Sequence, residues 1–266
     1  MAQRSPIINV IAATVDKAAR ILNRDFGEIA SLQASQSDKG PDRFVSAALR
    51  RSGEIIAKEL QRARRGFGYV QRGAAPIEGD NGLDNAWLVS PLDGLENFRR
   101  GLPGFSTIIG VRERGAIVAG AIYDPLRDEL FWADRGTGAY ANHQRIRATT
   151  RNRLDDAMVV VDGSAPAAVG RAGEIALTAS GAAVRKTGAS ALDLAYVAAG
   201  RFDASIAIGI DDIAGDVGTL LVREAGAMLS TVALGDDQVA TVAAGTRLER
   251  AVLACLAKSP AAPPVA

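Results

Sequence analysis

The 266-residue chain is short of the residue types on which several kinds of chemistry depend. It has one cysteine, Cys255, so no internal disulfide can form, and the composition fits a reducing compartment. It has one histidine, His143, with no serine or cysteine partner at motif spacing, which reads as a loop residue rather than a general base. It has no excess of either charge: 31 Lys and Arg stand against 30 Asp and Glu, so no whole-protein field for nucleic acid or a membrane is expected. No apolar run reaches bilayer-spanning length, and no leader with a basic start and a cleavage site follows Met1. There is no internal repeat and no nucleic-acid motif. These absences predict a soluble cytoplasmic protein without a nucleic-acid or membrane partner. The length is enough to bury a substantial core, in one large domain or two lobes.

What is present centres on Trp87-Leu88-Val89-Ser90-Pro91-Leu92-Asp93-Gly94-Leu95-Glu96-Asn97-Phe98. The apolar run 86–89 predicts a buried strand, broken into a tight turn by Pro91 and Gly94. A helix is expected from Leu95, with Glu96 near its positive end. A strand that enters a helix in this way offers backbone N–H groups suited to a phosphate, and Asp93 offers a carboxylate suited to a hard cation. Asp93 is also expected to bond turn amides near residues 94–96.

Elsewhere, Ile8, Ile11, Val15, Ala18 and Leu22 recur at spacings of three and four and predict a helix over 6–26, with 27–38 as a loop or hairpin. Val45, Leu49, Ser52, Ile56 and Leu60 mark a second helix, and the glycine-rich stretch 66–82 reads as a long loop. Residues 101–141 alternate as antiparallel strands, with a hairpin turn at Glu113-Arg114-Gly115. A polar stretch at 147–155 suggests a lobe boundary, followed by alternating strands and helices. Residues 259–266, rich in proline and alanine, read as a disordered tail.

The central turn resembles a signature of the inositol monophosphatase family, Asp-Pro-(Ile/Leu)-Asp-Gly-Thr-x-Asn-Phe, at Pro91, Leu92, Asp93, Gly94, Asn97 and Phe98. Ser90 stands where that family has a metal-binding Asp, and Leu95 where it has a Thr near the phosphate and the attacking water. The stretch from Lys39 to Ser46 resembles the family's Lys-x-x-x-Asp-x-Val-Thr, and the next family Asp falls on Leu49, read as a core leucine. Val70-Gln71-Arg72-Gly73 is the best local match to Gly-Glu-Glu-Ser-Gly, which puts Val70, with Gln71 beside it, at a metal-bridging Glu. Residues 209–226 resemble the second signature and end in Glu224-Ala225-Gly226. There Ile213 replaces a Trp and Ala214 the Asp that binds metal and substrate, while Ala207 falls on an inositol-contacting Glu.

The resemblance spans roughly residues 8–256. It implies an α/β (α+β) fold, an αβαβα layered sandwich, with an N-terminal lobe over 1–150 and a C-terminal lobe over 151–258, and commonly a homodimer. It also implies magnesium-assisted in-line hydrolysis, and substrate contacts at Asp93, Gly94, Leu95 and Ser190. Of the carboxylate ligands only Asp93 matches, and the catalytic positions now hold Val70, Ser90, Leu95 and Ala214. The expectation is therefore a pseudo-phosphatase with no magnesium cofactor, acting through a phosphate or sugar-phosphate ligand or a protein partner. Some bacterial relatives are similar in having a role in transcription complexes. The alternative is an active magnesium-dependent phosphatase for inositol monophosphate or a related sugar phosphate, with Glu78, Asp80, Asp211 or Asp212 replacing the lost ligands. A folded remnant with no ligand is a third reading. Asp216 lies about 200° around a helix from Ala214 and is a poor substitute, and Asp211 and Asp212 read as helix N-caps. Carboxylates converging on Asp93 would favour the phosphatase; apolar surroundings would favour the others.

Overall fold

The computed structural model describes residues 4–34, 41–161, 167–209, 212–235 and 238–257. Two long helices come first, α1 (Pro6–Ala34) and α2 (Pro41–Ala63). They run antiparallel, since Lys17 of α1 pairs with Glu59 of α2 at 2.7 Å and the later Asp25 pairs with the earlier Arg51 at 2.7 Å. A seven-stranded sheet follows in chain order: β1 (Gly68–Gln71), β2 (Ala86–Asp93), β3 (Ser106–Glu113), β4 (Ala116–Asp124), β5 (Glu129–Asp134), β6 (Gly138–Ala141) and β7 (Gln144–Ile146). Only β1 and β2 pair in parallel. The short helix α3 (Leu95–Arg99) joins β2 to β3.

Side chains on a strand alternate between faces. Trp87, Val89, Ile109, Val111, Ala121 and Trp132 therefore meet Ile8, Ile11, Val15, Ile56 and Leu60 of the two long helices. The chain then passes through β8 (Met158–Val161), α4 (Ala167–Ala179) and β9 (Ala183–Arg185) to α5 (Ser190–Ala198), β10 (Ala204–Ile208) and α6 (Asp212–Glu224). Leu88, Ile108, Ile122 and Phe131, on the other face of the first sheet, pack against α5 and α6 through Leu194, Ala195, Ala214 and Val217. Gly110 and Gly120 let α6 sit close. A Cβ on Gly110 would stand 2.7 Å from Cγ2 of Val217, and one on Gly120 2.9 Å from Cγ1.

With β11 (Met228–Gly235) and β12 (Gln238–Ala244), the later strands form a second sheet in the order β11-β12-β10-β8-β9. Its outer face is covered by α4 and α7 (Glu249–Ala257), where Leu177, Val252 and Leu256 meet Val159, Ile206 and Val242. The layers are helix pair, sheet, helix pair, sheet, helix pair, which is the αβαβα sandwich that the resemblance implied.

Four expectations need correction. The first helix does not stop at residue 26 but continues to Ala34. Ile29, seven residues after Leu22, is fully buried with Leu92, Phe98 and Phe105, so the apolar stripe outlasts Gly27. The strand before the turn does not break at Pro91. The β2–β3 register is irregular between Ser90 and Asp93, so the missing proline N–H costs no ladder bond there. The loop 66–82 contains β1, because Tyr69 and Ile77 exchange backbone bonds of 2.8 and 2.9 Å and Gly68–Gln71 lies beside β2. The antiparallel sheet also extends past residue 141, through the Asn142-His143 turn into β7. The expected tail, 259–266, lies outside the described residues.

Candidate functional site

The central turn is built by one strand, one glycine and one carboxamide. β2 is buried along its whole length and ends at Asp93. Gly94 turns the chain with φ 77°, and a Cβ there would strike the carbonyl oxygen of Gly104, so only glycine fits. Asn97 then donates through Nδ2 to the Gly104 and Thr187 carbonyls, both at 2.8 Å. This ties α3 both to the start of β3 and to the segment that leads into α5. Phe98 anchors the short helix below, edge-on to Phe105 at 4.9 Å between ring centroids.

Asp93 is buried, and its two oxygens reach in different directions. Oδ1 accepts from Nη1 of Arg72 at 3.2 Å, and Oδ2 accepts the backbone N–H of Ala191 at 3.2 Å. The described bonds thus run to β1's exit and to the first turn of α5 rather than to the amides of 94–96. Ser190 opens α5 beside that amide. The approach to α5 is held by Thr187, which donates to Oδ1 of Asp193 at 2.6 Å and accepts from the Ala189 N–H at 3.2 Å.

Asp93, Gly94 and Ser190 are therefore brought together. Leu95 opens α3 with 42% of its surface exposed. Ser90 is fully buried, and among the described residues its Oγ has no hydrogen-bond partner. Val70 is half-buried against the α5–α6 core, and Ala214 lies fully buried in the same core beside Ile213 and Val217. Leu49 is half-buried and packs against the cluster of Leu22, Leu92 and Phe98, as a core leucine would. Ala207 is buried in β10 opposite Thr241. His143 is exposed in the β6–β7 turn.

Of the substitute carboxylates, Glu78 and Asp80 lie elsewhere. Glu78 lines a cleft with Lys58 and Arg62 of α2 and Arg65 just beyond it, and Asp80 sits against Gly66. Both belong to the end of the sheet where Gly68 faces Ala86, seven residues and on the order of 20 Å along β2 from Asp93. Asp216 faces Arg112 of β3 at 3.6 Å. Asp211 and the side chain of Asp212 lie outside the described residues. Among the described residues, no three His, Cys, Asp or Glu side chains come together as a metal site would require.

Arg72 is the participant that the sequence reading passed over. Its signal was present: a basic residue directly after the Val70-Gln71 pair, inside a turn whose counterpart in the resembled family is acidic. A guanidinium against a buried carboxylate forms a charge-assisted bond and neutralises the charge that would otherwise attract a cation.

The family profile described as the inositol monophosphatase family matches residues 3–260. An inositol-1-monophosphatase of Mesorhizobium japonicum is 40% identical over 265 residues, covering 96% of this chain and 97% of that one. The Nus factor SuhB of Escherichia coli K12 is 33% identical over 258 residues, covering 94% and 95%. Among solved structures, the extragenic suppressor protein suhB of Bartonella henselae superposes with a TM-score of 0.83 at 34% identity, covering 96% of this chain and all of that one. A Thermotoga maritima IMPase superposes with a TM-score of 0.81 at 22% identity, a likeness of fold.

Proposed function

Because this chain belongs to the inositol monophosphatase family, its departures from the family pattern carry the functional meaning, and we propose that it is a non-hydrolytic member that binds phosphate-bearing anions. The observation that carries this reading is the contact between Arg72 and Asp93. Magnesium asks for near-octahedral oxygen donors, usually one or two carboxylates besides the phosphate of its substrate. Asp93 is the one family carboxylate kept at its position, and both of its oxygens are engaged, by Arg72 and by Ala191. Ser90 brings a neutral hydroxyl, and Val70, Ala214 and Leu49 bring carbon. This donor set does not fit the ion, and the binding reading takes no step through it.

What the chain's own residues offer is anion recognition. The Arg72 side chain is 44% exposed, and Asp93 is one of its partners. A guanidinium has five N–H donors in a fixed fork that matches phosphate oxygens. Asp93 and the Ala191 amide hold the arginine at the turn, and Gly94 lets the backbone approach closely. Leu95, in place of a hydroxyl, leaves no side-chain donor for an attacking water at that position. The name of the Escherichia coli relative, a Nus factor, supports a role outside hydrolysis, and a homodimer of two-lobed protomers divided near residue 150 belongs to the same proposal.

A second reading is favoured by the relatives named inositol-1-monophosphatase, which align with nearly the whole chain. In that reading the protein hydrolyses inositol monophosphate or a related sugar phosphate with magnesium, and Asp211 and Asp212 supply carboxylates. One experiment separates the two. Phosphate release from inositol monophosphate and a few sugar phosphates is measured with and without magnesium, beside calorimetric binding of the same compounds. Binding that is independent of magnesium, without turnover, is expected. Magnesium-dependent turnover that Asp93→Asn abolishes would overturn the binding reading in favour of the second.

A further inference from the structure

A second basic cleft lies at the far edge of the first sheet. β7 is five strands from β2, on the order of 20 Å at the usual strand spacing. There Arg145 of β7, Arg147 just beyond it and Arg223 in the last turn of α6 line a cleft of about 270 Å³ with Gly136, Gly138 and Glu224. Among the described residues, none of the three guanidiniums has a carboxylate within ion-pair distance.

The acid in the cleft is already committed. Glu224 accepts the Gly136 N–H at 2.7 Å through Oε1 and the Gly138 N–H at 2.8 Å through Oε2, so it serves as a clamp on the β5–β6 turn. Arg145 lies over Gly138, where a Cβ would come within 2.8 Å of its Nη2. The Ala148 N–H bonds the Ala225 carbonyl at 3.1 Å, which fixes the exit of β7 to the end of α6. The negative end of the α6 dipole opposes an anion here. It is blunted, because the Arg223 and Val222 carbonyls accept from Gly226 and Ala227, both at 3.0 Å. Three cations held together against one bound carboxylate repel each other, and a multivalent anion relieves that repulsion while matching the forks.

We infer that this cleft is a binding site for a small phosphorylated polyanion of the pyrophosphate or bisphosphate class, separate from the Asp93 turn. None of the lining residues is aromatic, so the cleft has no platform for stacking bases and favours a compact anion over single-stranded nucleic acid.

The test is calorimetric titration of the full chain with pyrophosphate at low and at moderate salt. In an Arg72→Gln background, which takes the other anion-binding turn out of the measurement, Arg145→Gln combined with Arg223→Gln should weaken binding about tenfold or more. Arg20→Gln with Arg50→Gln gives the same charge change on the two long helices and should have little effect. A measurement that needs no variant guards against misfolding: pyrophosphate should protect Arg145, Arg147 and Arg223 of the parent protein from phenylglyoxal, mapped by mass spectrometry. Absence of pyrophosphate binding by the parent would overturn the inference, as would equal affinity with and without the double change in that background or unprotected arginines. Tighter binding of a single-stranded RNA, lost in the double variant, would replace the small anion with nucleic acid.

Discussion

Nη1 of Arg72 stands 3.2 Å from Oδ1 of Asp93, so the buried carboxylate at the end of β2 faces a cation that the chain itself provides. Removing the arginine leaves Asp93 buried with the Ala191 amide and a lost charge partner. Arg72→Met should lower stability by about 1–3 kcal/mol, the cost of leaving a buried polar group short of a partner. The partial exposure of Arg72 keeps the figure below that of a fully buried pair. Arg72→Met with Asp93→Asn should recover part of the loss in urea denaturation. A midpoint unchanged by Arg72→Met would mean the contact contributes nothing to the fold.

Restoring hydrolysis should need more than restoring acids. Val70→Glu, Ser90→Asp and Ala214→Asp, with Leu95→Thr, rebuild the family pattern around Asp93, yet Arg72 would still compete for its oxygen. The expected outcome is near-silence until Arg72→Ser is added, and then a strongly non-additive gain in magnesium-dependent phosphate release, as for groups that act as a unit. Equal activity with and without the Arg72 change would show that the arginine does not obstruct the site. Ala214 is fully buried in an apolar core, so each variant must first be shown to fold.

Ser90 makes a prediction of opposite sign. Its Oγ is buried without a hydrogen-bond partner among the described residues, so the hydroxyl is a cost to the fold. Ser90→Ala should leave stability unchanged or raise it by about 1 kcal/mol, read from the urea midpoint. A loss of that size would reveal a polar partner for the hydroxyl.

Two tyrosines predict sensitivity to base. Burial raises the Tyr69 phenol well above its usual value while it donates to Oε1 of Gln71 at 2.9 Å. Burial, and then the hydrogen bond to Asp128 at 2.6 Å, does the same for Tyr123. The folded state holds these protons more tightly than the unfolded chain. Their contribution is therefore fully present below the ordinary tyrosine value of about 10 and is lost as pH rises past it. Urea midpoints should fall above about pH 10, and Tyr69→Phe with Tyr123→Phe should flatten that fall. An equally steep fall in the double variant would assign it to other groups.

The fold was largely legible because its signals are periodic. The stripe from Ile8 to Leu22, the alternation through β3 to β5 and the Glu113-Arg114-Gly115 turn all depend on spacing, which a sequence displays directly. What the sequence hid depends on neighbours distant in the chain. Pro91 looks like a strand breaker until Ser106 and Ile108 are placed beside it and the irregular register removes the penalty. The β1 strand has four residues and becomes visible only through Ala86–Val89 and Ile77. At the site, the resemblance picked out Asp93 and Gly94, and Arg72 lies in the same short stretch as Val70 and Gln71. Its role arises from a contact spanning 21 residues, which no local pattern encodes.

The Asn97 carboxamide joins carbonyls 7 and 90 residues away in the chain. During synthesis from the N-terminus, β2, Gly94 and α3 exist long before Thr187 has been made. Until then the turn has half of its ties and no α5 amide to meet Asp93. The central turn is thus completed late in biosynthesis, when the segment leading into α5 docks against it. A nascent chain halted before residue 187 would carry every residue of the central turn and still lack its ties to Thr187 and Ala191.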